Sequence, residues 1–202
     1  MNTETKLQEI ARRTDEFFMN QSPIHQTMRK LSAACRELKI PFAIAGAMAA
    51  NAHGHRRTTA DVDVLLRRDD LLRFKIRWLG LGWVEKFAGS KGLHDTDNNV
   101  VVDVLLTGDY PGDGLKKPVV FPAPEMVQEL QDDELPYLNL VTLIELKLAS
   151  GMTALHRLQD LADVIALIKI NRLPLDYTQQ LNPYVHDKFV ELWHAGQVEE
   201  DY

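Results

Sequence analysis

Three acidic side chains stand in apolar segments, where a carboxylate is costly to bury without a partner. Asp61 and Asp63 lie two residues apart in the run DVDVLL, and Asp103 lies in a second run, VVDVLL. Alternate residues of a strand share a face, so Asp61 and Asp63 point the same way. If the two strands are neighbours, the three carboxylates converge, which would raise their pKa values. Mg²⁺ prefers such oxygen ligands, so the pattern predicts a magnesium site.

A glycine corner precedes these acids. The apolar run from Phe42 to Ala45 ends at Gly46, and an alanine-rich segment begins at Ala47. A strand that turns directly into a helix leaves free backbone N–H groups at the helix start, where the helix dipole favours negative charge. The corner is therefore predicted to bind the phosphates of a nucleoside triphosphate (NTP). Two Mg²⁺ ions at the acids could then clamp an attacking and a leaving oxygen.

Apolar periodicity and capping residues predict the elements that position these motifs. Helices are predicted over residues 3–19, 22–38, 47–53, 153–171 and 182–196. Further helices are predicted to begin at a cap formed by Asp69 or Asp70 and at a capping box of Thr142 and Glu145. Strands are predicted over residues 42–45, 60–66, 83–87 and 100–106, the last two forming a hairpin around a polar turn at 89–99. Residues 119–140 lack a clear pattern, apart from a helix near 124–131.

A segment rich in glycine and proline divides the chain. Residues 107–118 hold three glycines and two prolines, which favours a boundary between two parts. The part before it, residues 1–110, carries the sheet, and the part after it, residues 111–202, is mainly helical. The predicted fold class is therefore α+β.

Composition restricts the compartment and the partners. The chain has 23 basic and 29 acidic residues, a net charge of −6 that argues against a broad electrostatic grip on nucleic acid. The single cysteine, Cys35, excludes an internal disulfide framework and a cysteine-based zinc site. The sequence has no apolar run of about 18 residues and no signal-peptide pattern at its start, so we expect a cytoplasmic protein that does not bind membranes. The oligomeric state stays open.

The glycine corner and the acids together resemble a known family. Gly46-Ala47 followed by the pattern HG-x-x-R-x-T-x-D-V-D-V over His53–Val64 resembles the nucleotidyltransferase superfamily with the DNA polymerase β-like palm. More narrowly, it resembles the small bacterial AbiEii/AbiGii-type (MNT-like) nucleotidyltransferases. The similarity continues through LVTLIELKLAS at 140–150 and HRLQDLADVIALI at 156–168. The second stretch is similar to the family's Lys…Arg-x-x-Asp-x-x-Asp helical element, so the resemblance covers roughly residues 40–170.

The resemblance implies a mixed sheet flanked by helices, two Mg²⁺ ions and an NTP substrate. A nucleoside monophosphate would pass to an acceptor hydroxyl with release of pyrophosphate. By position, Asp61 and Asp63 would ligate metal, and Asp103 would complete the site and help deprotonate the attacking hydroxyl. Gly46 and Ala47 would hold the triphosphate. Many relatives have Gly-Gly or Gly-Ser at this corner, so Gly-Ala lacks one hydroxyl contact but keeps the backbone donors.

The remaining site residues carry weaker implications. By the same resemblance, Arg57 and Thr59 would order their loop or reach a phosphate, Lys147 would neutralise triphosphate charge, and Asp160 would lie near the acceptor. Simpler interpretations are a surface ion pair for Arg57, a solvated helix lysine for Lys147, and an intrahelical pair between Arg157 and Asp160.

Two other functions compete with the enzyme. One is a catalytically silent NTP-binding or antitoxin-like interaction protein, and the other is a structural cation site, such as one for Ca²⁺. The acceptor could be a tRNA 3′ end, a protein hydroxyl or an antibiotic hydroxyl. The resemblance also implies a possible toxin–antitoxin or phage-defence role, with a cognate toxin or antitoxin as partner.

Overall fold

The computed structural model describes residues 3–197, with side chains from residue 6 onward. The helices are α1 Thr3–Phe18, α2 Pro23–Glu37, α3 Gly46–Ala52, α4 Arg68–Trp78, α5 Pro124–Val127, α6 Leu140–Thr153, α7 Leu158–Ile170 and α8 His186–Gln197. The strands are β1 Ala43–Ile44, β2 Asp61–Leu66, β3 Trp83–Glu85, β4 Leu93–Asp95, β5 Val100–Leu106, β6 Gln128–Leu130 and β7 Pro136–Leu138. Short 3₁₀ turns lie at Leu155–Arg157, Leu175–Gln180 and Pro183–Val185. Across residues 3–197, no helix is both long and apolar enough to cross a bilayer.

All seven strands form one mixed sheet in the order β3-β4-β5-β2-β1-β7-β6. The pairs β2–β5 and β1–β7 are parallel, and the other neighbours are antiparallel. The parallel register sets Asp63 opposite Asp103 and Asp61 opposite Val101. The predicted α+β fold, a mixed sheet flanked by helices and followed by a mainly helical C-terminal part, is confirmed.

The two faces of β2 and β5 differ sharply. Val62, Val64 and Val102 are fully buried, and α2 packs against both strands. Because side chains alternate along a strand, the acids of β2 and β5 lie on the opposite face. That face is where α6 and α7 bring their polar side chains.

The helical part packs onto the same core. α6, α7 and α8 contact one another, and their buried residues belong to the cluster that contains the sheet. β6 and β7 follow the predicted boundary at residues 107–118 but join the same sheet as β1. The division at residue 110 stays a prediction.

Four predicted helix starts are wrong. The helices predicted from residues 153 and 182 begin at Leu158 and His186, each after a short 3₁₀ turn. Asn139 caps α6, because its Oδ1 accepts a hydrogen bond from the Thr142 N–H at 2.9 Å. Glu145 instead accepts from the Asn182 N–H at 2.7 Å, so the predicted capping box does not form. α4 begins at Arg68, which places Asp69 and Asp70 in its first turn rather than at its cap.

The predicted hairpin is also wrong, because a short strand separates its two partners. β4 lies inside the segment predicted as a turn, and it pairs with β3 on one side and β5 on the other. Its last residue, Asp95, is fully buried and accepts hydrogen bonds from Thr27 and Lys30 of α2 and from Asn98. A polar residue that is typical of turns is thus buried here because several donors satisfy it.

Gly46 allows the corner between β1 and α3 to pack against Asp63 of β2. Its φ is +57°, and a Cβ atom added there would lie 1.8 Å from Asp63 Oδ2. We expect Gly46→Ala to lower the free energy of unfolding by about 3 kcal/mol, through backbone strain and this clash. The matched control is Gly89→Ala, where φ is +77° and no atom lies within 4 Å of the added Cβ.

Urea unfolding should therefore show that Gly89→Ala costs only the backbone strain, about 1–2 kcal/mol. In an Asp63→Ala background the two closest atoms are gone and only the Cβ of residue 63, 3.0 Å away, remains. Most of the difference between Gly46→Ala and Gly89→Ala should therefore disappear. If the two glycine variants lost equal free energy of unfolding in the parent chain, the close approach of Gly46 to Asp63 would be contradicted.

Candidate active site

A cleft of about 250 Å³ opens between the acid-bearing strands and the start of α7. It brings together every site residue predicted from the sequence and adds three others. The cleft is lined by Gly46, Ala47, Arg57, Thr59, Asp61, Asp63, Asp103, Lys147, His156, Arg157, Gln159 and Asp160. The catalytic and binding roles of these residues stay predictions.

The three acids have different surroundings. The Thr59 hydroxyl donates to Asp61 Oδ1 at 2.6 Å, and Lys86 Nζ donates to Asp103 Oδ1 at 3.1 Å. Asp63 lies against the backbone of Gly46, and within the described chain its carboxylate accepts no side-chain hydrogen bond. Asp63 is thus the acid whose carboxylate receives the least compensation from hydrogen bonds for its loss of solvent.

The electrostatics of Asp63 follow from this position. Burial raises the pKa of Asp63 to about 6, and the neighbouring charges of Asp61 and Asp103 act in the same direction. The positive charges of Lys147 and Arg157 oppose the increase without cancelling it. A cation bound at this carboxylate would reverse the effect, because opposite charge favours the ionised form.

The residues fit a hard divalent cation in their chemistry. Carboxylate oxygens are the ligands that Mg²⁺ prefers, and Asp63 has a raised pKa and no side-chain donor. Among residues 3–197, however, no three His, Cys, Asp or Glu side chains are already grouped as a metal site. Asp61 and Asp103 are instead hydrogen-bonded to Thr59 and Lys86. The Mg²⁺ ligands named from the sequence therefore stay a prediction.

Lys147 forms a buried ion-pair network behind the cleft. Its Nζ donates to Asp160 Oδ1 at 2.9 Å and to Asp163 Oδ2 at 2.6 Å. Lys147 is 5% exposed and Asp163 is 0% exposed, so the solvated helix lysine considered above is wrong. Burial alone would raise the pKa values of both acids, but the Lys147 ammonium holds them below their usual range.

Asp163 also fastens the loop of residues 53–60, which joins α3 to β2. Arg57 donates from its terminal guanidinium to Asp163 Oδ2 at 3.0 Å, and His55 Nε2 lies 3.3 Å from Asp163 Oδ1. The Asn51 amide holds the Arg57 backbone on both sides, accepting from its N–H at 2.7 Å and donating to its carbonyl at 2.9 Å. Arg57 therefore pairs with a buried acid, so the surface ion pair is wrong, and the contacts fit the expected ordering of its loop.

Arg157 stands between the network and the cleft. Its Nε donates to Asp160 Oδ2 at 2.8 Å and to Ser150 Oγ at 3.2 Å. The predicted pair with Asp160 therefore forms, but it joins the 3₁₀ turn before α7 to the helix rather than lying within one helix. Asp160 therefore accepts from Lys147 and Arg157 together, and its acceptor-side role stays a prediction.

Sequence reasoning gave no site role to several residues that the structure brings to the cleft, although Arg157 and Asp163 belong to the Lys…Arg-x-x-Asp-x-x-Asp element of the resemblance. Asp163 and Gln159 complete the network, since Gln159 donates to Asp163 Oδ1 at 2.9 Å, and Arg157 and His156 line the cleft. The spacing Arg157-x-x-Asp160-x-x-Asp163 was a usable signal, because residues three apart on a helix are neighbours. It points to one side of α7 without showing that this side is buried.

Comparison with known proteins yields only distant similarity. Neither a protein-family model nor a curated protein sequence matches the chain significantly. The crystal structure of ANT(2″)-Ia in complex with adenylyl-2″-tobramycin superposes with a TM-score of 0.43 at 15% identity, covering 86% of this chain and 88% of that chain. The solution structure of the antibiotic-resistance factor ANT(2″)-Ia gives 0.39 at 17% identity, covering 85% and 83%. Both TM-scores lie below 0.5, so neither similarity carries weight for the function of this chain.

The raised pKa of Asp63 predicts a pH-dependent stability. Between about pH 4 and pH 6 the folded protein holds a proton on Asp63 that the unfolded chain has lost, so this group makes unfolding easier as pH rises. In EDTA, the free energy of unfolding of Asp63→Asn should rise relative to that of the parent by about 2–3 kcal/mol between pH 4 and pH 7. Urea unfolding measures this difference, and the exposed Asp176→Asn is the control. A difference that does not change with pH would contradict the placement of Asp63.

The buried network predicts unequal losses for two acids that each contact basic side chains. Asp163→Ala removes the fully buried carboxylate that Lys147 and Arg57 share, and it leaves Lys147 with Asp160 as its one remaining acid partner among the described residues. We therefore expect a loss of about 3–5 kcal/mol in the free energy of unfolding. Asp109→Ala removes exposed pairs with Arg68 and Lys91, and it should cost less than about 1 kcal/mol. Chemical denaturation at pH 7 compares them, and similar losses would mean that the network contributes no more than surface pairs.

Proposed function

We propose that this chain is an Mg²⁺-dependent nucleotidyltransferase that moves a nucleoside monophosphate from an NTP to an acceptor hydroxyl and releases pyrophosphate. The observation that supports this is the division of charge in one cleft, where the acids of β2 and β5 face the basic side chains of Arg57, Lys147 and Arg157. A triphosphate is strongly anionic, so it needs cations on one side and a metal between itself and the acids on the other.

Arg157 is best placed to bind the triphosphate. Its side chain is 50% exposed, and in the described part of the chain its two terminal nitrogens make no hydrogen bond. A guanidinium with free nitrogens can bind phosphate oxygens in pairs. Lys147 has a third ammonium hydrogen beyond its two bonds to acids, and Gly46 and Ala47 add first-turn N–H groups.

Asp61, Asp63 and Asp103 would hold the metal. Bound Mg²⁺ would neutralise the carboxylates and the triphosphate and make the α-phosphorus more electrophilic. The acceptor oxygen attacks the α-phosphorus and forms a new P–O bond, while the bond to the oxygen that bridges to the β-phosphorus breaks. Asp103 takes the proton of the acceptor hydroxyl, and pyrophosphate leaves with the electron pair. Thr59 keeps Asp61 oriented throughout.

A second candidate function is NTP binding without turnover. It is favoured by the absence of an assembled three-acid cluster in residues 3–197 and by the hydrogen bond that Lys86 donates to Asp103. The toxin–antitoxin role and the cognate partner rest on the sequence resemblance alone. The same holds for the choice among tRNA, protein and small-molecule acceptors.

Turnover is tested with α-³²P-labelled NTPs, Mg²⁺ and cell lysate as the source of acceptors. Label should pass to an acceptor, and EDTA should abolish the transfer. Asp61→Asn and Asp63→Asn should each lower the rate on the order of 10²–10³-fold, because each removes a charge that holds the metal. Asp176→Asn, an exposed acid outside the cleft, should leave the rate unchanged.

Calorimetric binding of Mg²⁺ with a non-hydrolysable NTP separates the two candidates. Binding by the parent that is lost in Asp63→Asn, together with label transfer, supports the enzyme. Binding without any labelled product supports the silent protein. Equal binding by the parent and by Asp63→Asn would show that the cleft is not the nucleotide site.

A further inference from the structure

Helix α1 carries its apolar side chains on the outside of the molecule. Leu7 is 62% exposed, Ile10 is 54% exposed and Phe18 is 41% exposed. Of residues 6–18, whose side chains the structure describes, Phe17 alone is buried. An exposed apolar stripe of this kind marks an interaction surface.

The attachment of α1 to the rest of the fold is confined to its C-terminal end. The Phe17 ring packs edge-to-face on His25 with centroids 5.1 Å apart, and Arg29 donates to the Asn20 carbonyl at 3.1 Å. The side-chain hydrogen bonds found for residues 6–16 all stay within the helix. A helix of 16 residues is marginal in water without tertiary packing, so its first turns need a partner.

The stripe has the spacing of a helix-pairing seam. Leu7, Ile10 and Thr14 follow one another at intervals of three and four residues, as at the a and d positions of a heptad repeat, and Phe18 continues the same side of the helix. Phe17, at the next d position, packs against His25 of the same chain. Beside them runs a groove of about 630 Å³, and Ile10, Thr14 and Phe17 form part of its lining. The groove leaves space for side chains of a second helix.

We propose that α1 pairs with α1 of a second copy of this chain and forms a symmetric dimer. Its charge favours this partner, because the helix carries four acids and three bases and is therefore nearly neutral. A nucleic acid or an anionic membrane would need an excess of basic residues. Balanced charge together with an apolar seam suits another protein helix.

The order of the charges favours an antiparallel arrangement. If a twofold axis passes near Ile10 and Ala11, Glu9 of one helix lies at the level of Arg12 of the other, and Lys6 lies at the level of Asp15. Both contacts occur twice, as a twofold interface requires. The groove also contains Thr59, so the second copy lies beside the residue that orients Asp61.

The first test is the mass of the full-length chain by light scattering or sedimentation between about 5 and 100 µM. We expect a dimer, and Ile10→Glu should weaken it by at least about 100-fold, because two charges enter the seam. Ile76→Glu is the matched control, since Ile76 is a 78% exposed isoleucine on α4, outside the proposed interface. A parent that stays monomeric at 100 µM overturns the proposal, as does dissociation by Ile76→Glu but not by Ile10→Glu.

The second test is disulfide trapping, which does not depend on how well a charged variant folds. Ala11→Cys lies beside the proposed twofold axis, so mild oxidation should link it to its copy. Leu115→Cys, a 68% exposed position in a loop, should link poorly under the same conditions, and native Cys35 is buried. Equal trapping at both positions, or none at Ala11→Cys, overturns the proposal.

Discussion

Parallel pairing of β2 with β5 places Asp63 opposite Asp103, and alternation along β2 puts Asp61 on the same face, so three acids share one side of the sheet. Burial and these neighbours raise the pKa of Asp63 to about 6. A structural ion pair would do the opposite, since a paired carboxylate has a lowered pKa. Strong perturbation by burial and like charge is typical of functional sites, where it prepares a group for a ligand or a reaction.

Positive charge reaches the acids from the helical part of the chain. Lys147 on α6 and Arg157 before α7 both lower the cost of ionising Asp63. Asp160 and Asp163 accept hydrogen bonds from the buried Lys147 and so satisfy two of its three donors. Charges buried in this way are rarely a large source of stability, because desolvation offsets much of their attraction. These ion pairs join α6 to α7 and, through Arg57, join α7 to the loop before β2.

The loop of residues 53–60 links the buried ion pairs to β2, the strand that carries Asp61 and Asp63. Arg57 ties the loop to Asp163, the Asn51 amide holds its backbone, and Thr59 at its end hydrogen-bonds Asp61. One continuous chain of contacts therefore runs from the buried network on α7 to the first acid of β2. In the proposed dimer, the second copy would lie at the same end of β2.

Local sequence determined the elements that bury long apolar runs, and with them the face shared by Asp61 and Asp63. Alternation along a strand and the backbone freedom of Gly46 are properties of neighbouring residues, so they can be predicted without a fold. The three-residue strands β4, β6 and β7 are too short to show a period, so only their pairing reveals them. β4 lies between β3 and β5, β6 pairs with β7, and β7 pairs with the two-residue β1. Tertiary structure alone decided that Asp163 anchors Lys147 and Arg57, since burial and pairing across 106 residues depend on how distant segments pack.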